Sequence, residues 1–206
     1  MTPRARPLPP EDRRRAIVEA VIPLLLEHGS DVSTRQIAQA AGVAEGTIFR
    51  VFPDKSALLK AAAQEAINPA DGAAQWEQAI AGVDDLRAKV RIAAERVIAR
   101  MHLAMPVMLA LRGHFIAHAR EAHAKEHHHK PGPPAFMADA QAELLQQLTS
   151  MFEPHRDQLT VAPEIAALAL RSLIFGSSRG AFGPETVLTP DQIADLVLDG
   201  TLRKDT

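Results

Sequence analysis

Apolar residues recur at spacings of three and four along most of this chain, which is the period of helices that bury one face. Between about Glu11 and His28 the stripe is Ile17, Val21, Leu24 and Leu25, with Gly29 as a stop. Pro23 sits inside it and lacks the amide that would bond the carbonyl of Glu19, so a local bend is predicted there. Ser33 and Gln36 have the spacing of a reciprocal capping box and open a second, short helix that ends near Ala40. Ala41, Gly42 and Val43 form a turn, a third helix covers about Ala44 to Phe52, and Asp54 caps a fourth.

A break at Asn68, Pro69, Asp71 and Gly72, and another at Gly82, separate these short elements from longer ones. Leu86, Val90, Ala93, Val97 and Met101 mark a helix from about Asp84 to Leu103, which Pro106 ends or bends. Helical pattern continues to about His127, and Lys130 to Pro134 reads as a loop. Three further helices follow: about Ala135 to Phe152, Pro163 to Arg179, and a last one capped by Thr189 with Gln192. The fold class is therefore all-α, with about nine helices. The expected organisation is an arm at 1–10, a helix-turn-helix domain at 11–67 and a second helical domain at 68–206.

The third short helix has a divided surface. At about 100° per residue, Ile48 and Phe52 lie together with Ala44 nearby, while Gly46, Thr47, Phe49 and Arg50 fall toward the other side. The first set packs and the second faces out. That outward set suits a DNA major groove: Gly46 lets the backbone approach, Thr47 and Arg50 offer hydrogen bonds, and Phe49 offers apolar contact.

Composition narrows the picture. The 206 residues are 47 % apolar and 23 % charged, ordinary for a folded globular protein, and only 4 % are aromatic. With no cysteine there is neither a disulfide framework nor a thiolate metal cluster, which suits a reducing cytoplasm. The start, basic and proline-rich, does not look like a signal peptide, and no apolar run reaches the roughly 18 residues of a membrane span. The net charge of −2 conceals a division: residues 1–60 carry nine Lys and Arg against seven Asp and Glu, and residues 61–206 fourteen against eighteen. The N-terminal part is the nucleic-acid face, by a bias that supports the motif without replacing it.

The order T-R-Q-I-A, A-G-V, G-T-I-F and F-P-D-K, followed by A-L-L, resembles the DNA-binding domain of the TetR family of bacterial transcriptional regulators over about Arg13 to Ala62. By motif position the resemblance implies phosphate contacts at Thr34, Arg35 and Lys55, and groove contacts at Glu45, Gly46, Thr47, Phe49 and Arg50. Phe49 stands where the family usually has tyrosine, Val51 where it often has histidine or tyrosine, and Ala44 where serine commonly caps the helix. Each change removes a hydrogen-bonding group. Arg4, Arg6 and Arg13 to Arg15 are expected to compensate on the DNA backbone.

In the second domain Met101, Met105, Met108, Phe115, Leu144, Leu148 and Phe175 supply the raw material of a pocket for an apolar effector, and equally of an ordinary filled core. The resemblance favours the pocket. His114 and His118 share a helix face with Glu121, a spacing that admits metal ligands, but nothing completes a first shell, and neither metal nor cofactor is expected. Ile165, Leu168, Ala169, Ser172 and Gly176, with Ile193, Leu196, Val197 and Gly200, either face a second copy of the chain or bury within one copy. The resemblance implies the former, and a separate argument agrees: a twofold dimer sets two reading helices in successive major grooves, about 34 Å apart.

The resulting expectation is a cytoplasmic, non-enzymatic homodimer. It binds a palindromic double-stranded DNA operator and is released by a small apolar or amphipathic effector. The alternatives are a TetR-like ligand-binding protein with weakened DNA binding, and a histidine-based metal-dependent helical protein.

Overall fold

The computed structural model describes residues 9–69, 71–123, 134–177 and 188–201, with backbone alone at 118–123 and 201. Among the described residues the chain is helical without strands. In order the helices are α1 (Pro10–His28), α2 (Thr34–Ala40), α3 (Glu45–Val51), α4 (Lys55–Ile67), α5 (Gly72–Ile80), α6 (Leu86–His123), α7 (Ala135–Phe152), α8 (Pro163–Ser177) and α9 (Pro190–Thr201). Short 3₁₀ turns occupy Gly29–Asp31 and Glu153–Gln158. The all-helical expectation holds.

Local chemistry explains the boundaries. Pro10 opens α1, where its missing amide costs nothing. Gly29 ends it at φ 60°, with its amide on the carbonyl of Leu25. The Ser33–Gln36 capping box forms in both directions, and Asp54 accepts from the amide of Ala57 at 2.7 Å. The second predicted box also forms, with Gln192 donating its amide to Thr189 and Thr189 donating its own to the Gln192 side chain.

Pro106 ends nothing. α6 runs through it as one helix of 38 residues, so of the two expectations, an end or a bend, the end is corrected. Pro106 is exposed, whereas Ala104, Val107 and Leu111 around it are buried. The apolar stripe therefore continues past the proline, and its burial outweighs the roughly 3 kcal/mol that proline costs in a helix interior. α1 likewise continues through the exposed Pro23.

The chain divides into two compact units. One is Met1–Pro69 with Leu103–Gly132, and the other Ala70–His102 with Pro133–Thr206. The first unit takes in Leu103–Gly132 together with the N-terminal helices. The reason is the length of α6, which contributes residues to both.

In the first unit α1 packs on α2, α3 and α4, and α2 on α3. Ile17, Val21 and Leu25 of α1, Ile37 of α2, Ile48 of α3, and Leu58 and Leu59 of α4 are fully buried. In the second unit Trp76, Val90, Ala94, Leu148, Phe152, Leu170, Ile174, Ile193 and Leu198 belong to one core. Arg87 ties α6 to Asp195 and Asp199 of α9.

His155 is a buried polar group of this second unit, with its Nε2 3.3 Å from the Lys89 ammonium. Burial first, and then Lys89, push its imidazole below the ordinary histidine range, against smaller opposing effects of Asp85, Asp84 and Gln158. The folded chain therefore keeps His155 neutral where the unfolded chain already takes up a proton. Its contribution to stability is complete above about pH 6.5 and is lost as the pH falls through the lower folded value. Between about pH 7.5 and pH 5 the urea midpoint of the wild type is expected to fall further than that of His155→Gln. Parallel pH curves for the two proteins would refute the assignment.

Candidate nucleic-acid interface

α2 and α3 are joined by a turn through Gly42, whose φ of 65° is a left-handed conformation that glycine adopts without strain. The amide of Val43 reaches the carbonyl of Ala38, closing the end of α2 before the chain enters α3. Ile48 anchors α3 from inside, and Phe52 follows it into the core. Arg14 of α1 places its guanidinium 4.5 Å from the centre of the Phe52 ring, a cation–π contact between α1 and the end of α3 that sequence spacing does not reveal.

With Ile48 and Phe52 inward, the outward face of α3 carries exposed Glu45, Gly46, Phe49 and Arg50 and half-buried Thr47. These are the groove residues expected from sequence, gathered on one surface. A Cβ built on Gly46 meets nothing within 4 Å, so the fold itself does not require glycine there. Ala44, as expected of an alanine, offers α3 no side-chain cap.

The three expected phosphate contacts have different surroundings. Arg35 is exposed. Thr34 donates its hydroxyl hydrogen to Glu45 Oε1, tying the first turn of α2 to the first turn of α3. Lys55 donates from Nζ to the carbonyl of Ser30 at 2.7 Å, tying α4 to the 3₁₀ turn after α1. Neither bond was legible in the sequence, because each joins residues from different helices or turns. Lysine has three donors, so Lys55 retains capacity for a phosphate.

Of the basic arm, Arg4 and Arg6 lie outside the described residues. Arg15 is exposed on α1 and Arg13 half-buried.

The histidine pair takes a different turn. His114 Nε2 lies 3.0 Å from Ser56 Oγ, joining α6 to α4 within the first unit. The side chains of His118 and Glu121 lie outside the described residues. Among the described residues no three His, Cys, Asp or Glu side chains gather as metal ligands.

The expected pocket residues are not brought together within either unit. Met105, Met108 and Phe115 belong to the first unit, and Met101, Leu144, Leu148 and Phe175 to the second. Leu148 is fully buried in the second core, while Met105 and Phe175 are exposed. The helical period leaves the direction of each stripe open, and packing decides it. Met101 and Leu144 are half-buried against the second core.

The assembly residues divide in the same way. Ile193 and Val197, expected to face a partner, are buried within their own unit. Ile165, Leu168 and Leu196 are 53 %, 40 % and 54 % exposed, and Phe175 is 43 % exposed. Ser172, Gly176 and Gly200 are also exposed, with Ala169 half-buried. The apolar face of α8 therefore runs Ile165, Leu168, Ser172 and Phe175, and α9 adds Leu196.

A capped helix, a glycine turn and a second helix with an outward polar and aromatic face, standing on a buried aliphatic anchor, define a helix-turn-helix domain. Residues 17–62 match the sequence profile of the bacterial regulatory proteins of the tetR family. Over these residues the chain carries a DNA-binding domain of the tetR type.

The HTH-type transcriptional regulator BetI of Yersinia pestis is 37 % identical over 84 residues, which are 40 % of this chain and 42 % of BetI. The chain thus matches about two fifths of the length of its curated relatives.

Solved structures share the fold over almost the whole chain. One from Mesorhizobium loti, assigned to the TetR family, has a TM-score of 0.66 at 17 % identity, covering 96 % of this chain and 100 % of the other. Another, from Saccharomonospora viridis and solved in complex with choline, has a TM-score of 0.65 at 16 % identity, covering 94 % and 100 %. NalD, the secondary repressor of the MexAB-OprM multidrug efflux pump in Pseudomonas aeruginosa, has a TM-score of 0.52 at 23 % identity, covering 96 % and 100 %. Among the described residues no helix is long and apolar enough to cross a membrane.

Proposed function

We propose that the chain is a homodimeric, non-enzymatic cytoplasmic repressor that binds a palindromic operator through paired α3 helices and leaves it when a small apolar or amphipathic effector binds among the C-terminal helices. The observation that carries this reading is the outward face of α3, with Gly46, Phe49 and Arg50 exposed around Thr47 and Ile48 fixed inside. Gly46 admits the DNA backbone or a base edge, Thr47 and Arg50 supply donors, and Phe49 meets a thymine methyl. Arg35 and Lys55 hold phosphates and set the register, and Thr34, whose hydroxyl hydrogen is on Glu45, adds the backbone amide of the first turn of α2. The Thr34–Glu45 bond fixes the first turn of α3 before DNA arrives.

Repression and effector release are supported by likeness. NalD is a repressor, and the S. viridis protein was solved with choline. Physically, an effector releases DNA only if it binds the DNA-incompetent state more tightly. Met101 and Leu144, half-buried at the margin of the second core, are the pocket residues retained in this reading.

A shift assay with duplex DNA from around the coding region, run across a salt series, tests the reading. Sequence-specific binding with a steep salt dependence is expected. Salt-sensitive binding without sequence preference would favour a family member that has kept the fold and lost its operator, the reading to which uncapped Ala44 and apolar Phe49 point.

Gly46 separates folding from binding. Alanine at this exposed helical position is expected to stabilise the free protein by up to about 1 kcal/mol, because the added Cβ meets no neighbour. On DNA the same methyl occupies the closest approach, and operator affinity should fall by about tenfold or more. Unchanged affinity in Gly46→Ala would show that α3 does not come close at this residue.

A further inference from the structure

Glu45 puts an acidic group on a surface that meets DNA. It is exposed in the first turn of α3, beside Gly46 and Thr47, where its charge repels phosphate. Its side chain is nevertheless held. Thr34, half-buried at the start of α2, donates its hydroxyl hydrogen to Glu45 Oε1, which bridges the two helices of the motif from side chain to side chain. A glutamate side chain has several free rotors, and this bond sets them before any ligand arrives. A carboxylate offers about four acceptor sites, so Oε2 and a second lone pair of Oε1 keep capacity for another donor.

Donors are scarce on the floor of the major groove. Cytosine presents its N4 amino group and adenine its N6 amino group, whereas guanine and thymine present acceptors. The two amino groups have different neighbours. Adenine N6 stands beside the N7 acceptor of the same base, an edge that suits an amide and repels a carboxylate, while cytosine N4 stands beside a C–H edge. A carboxylate in the groove therefore selects cytosine.

We propose that Glu45 reads a cytosine in each half-site of the operator, and that Thr34 is its positioning residue. The assignment rests on α3 being the reading helix, and adds a base identity to that reading. It also gives the Thr34 hydroxyl a task, since its hydrogen is directed to Glu45 and not to a phosphate.

The test is selection from a randomised duplex DNA library by the full-length protein and by Glu45→Gln, Thr34→Val and Thr34→Ser, each checked for native helical content. The Kd of the selected duplex is then measured with every single base-pair change. The wild type is expected to enrich a motif with a cytosine column in each half-site, at which any other base weakens Kd by about five- to thirtyfold. Glu45→Gln should turn that column to adenine, because an amide pairs with N6 and N7 together. Thr34→Val keeps the backbone amide and the branched shape but lacks the hydroxyl, and should shrink the cytosine preference by about threefold or more. Thr34→Ser should restore it. No cytosine column, or one unchanged in Glu45→Gln, would overturn the assignment of Glu45 and leave the operator reading standing. In Thr34→Val, an undiminished cytosine preference, or a loss spread evenly over all columns, would overturn the positioning role. A wild type that enriches no motif would overturn the operator reading, and this inference with it.

Discussion

Replacing Thr47 and Arg50 together with alanine should abolish sequence-specific operator binding and leave a folded dimer. Both side chains lie on the outward face of α3, and Arg50 is exposed. Each good base contact contributes about 1–3 kcal/mol of discrimination, so losing two removes about 2–6 kcal/mol, from roughly thirtyfold to more than ten-thousandfold in Kd. The folded state loses little, because alanine is a strong helix former and Ile48 and Phe52 continue to hold α3 from inside. Fluorescence anisotropy at fixed salt, on operator and on scrambled duplex, gives the specificity ratio, and circular dichroism and size exclusion confirm the fold. Operator preference kept within threefold of the wild type would mean that another element reads the DNA.

That expectation rests on features visible in the chain itself. The Ser33–Gln36 box, the glycine turn at Gly42, the Asp54 cap and the outward set on α3 depend on neighbours a few residues away, and the structure has them where spacing puts them. What stayed hidden depends on distant partners. Lys55 with Ser30, Arg14 with Phe52 and His114 with Ser56 each join residues that share no local pattern. Pro106 misled for a related reason. Local propensity argues for a break, but buried Ala104, Val107 and Leu111 carry the helix through it.

The assembly stripes show the same limit at the level of a helix face. α8 is apolar nearly all round, so its period admits two inward directions, and only packing decides that Ala166, Leu170 and Ile174 go in while Ile165, Leu168 and Phe175 stay out. Phe175 lies on the exposed side of α8. Ile193 and Val197 lie the other way, since α9 turns them into the core and leaves Leu196 outside.

That sorting gives the proposed dimer its test. In a single copy Ile165, Leu168, Phe175 and Leu196 expose apolar surface on the two C-terminal helices, and each such side chain is worth about 1.5–3 kcal/mol when fully buried. A twofold contact repeats every one of them in the partner. Leu168→Glu with Phe175→Glu places four carboxylates in that contact, two from each copy, while leaving the monomer core untouched. The variant is expected to be a folded monomer by light scattering, with a dimer Kd weakened by at least about a hundredfold. Operator affinity should fall with it, because one α3 reads only a half-site. Arg35, Thr47 and Arg50 remain intact in this variant, so weak salt-dependent binding to nonspecific duplex should persist. A variant that stays dimeric and binds operator as the wild type does would place the partner surface elsewhere than on α8.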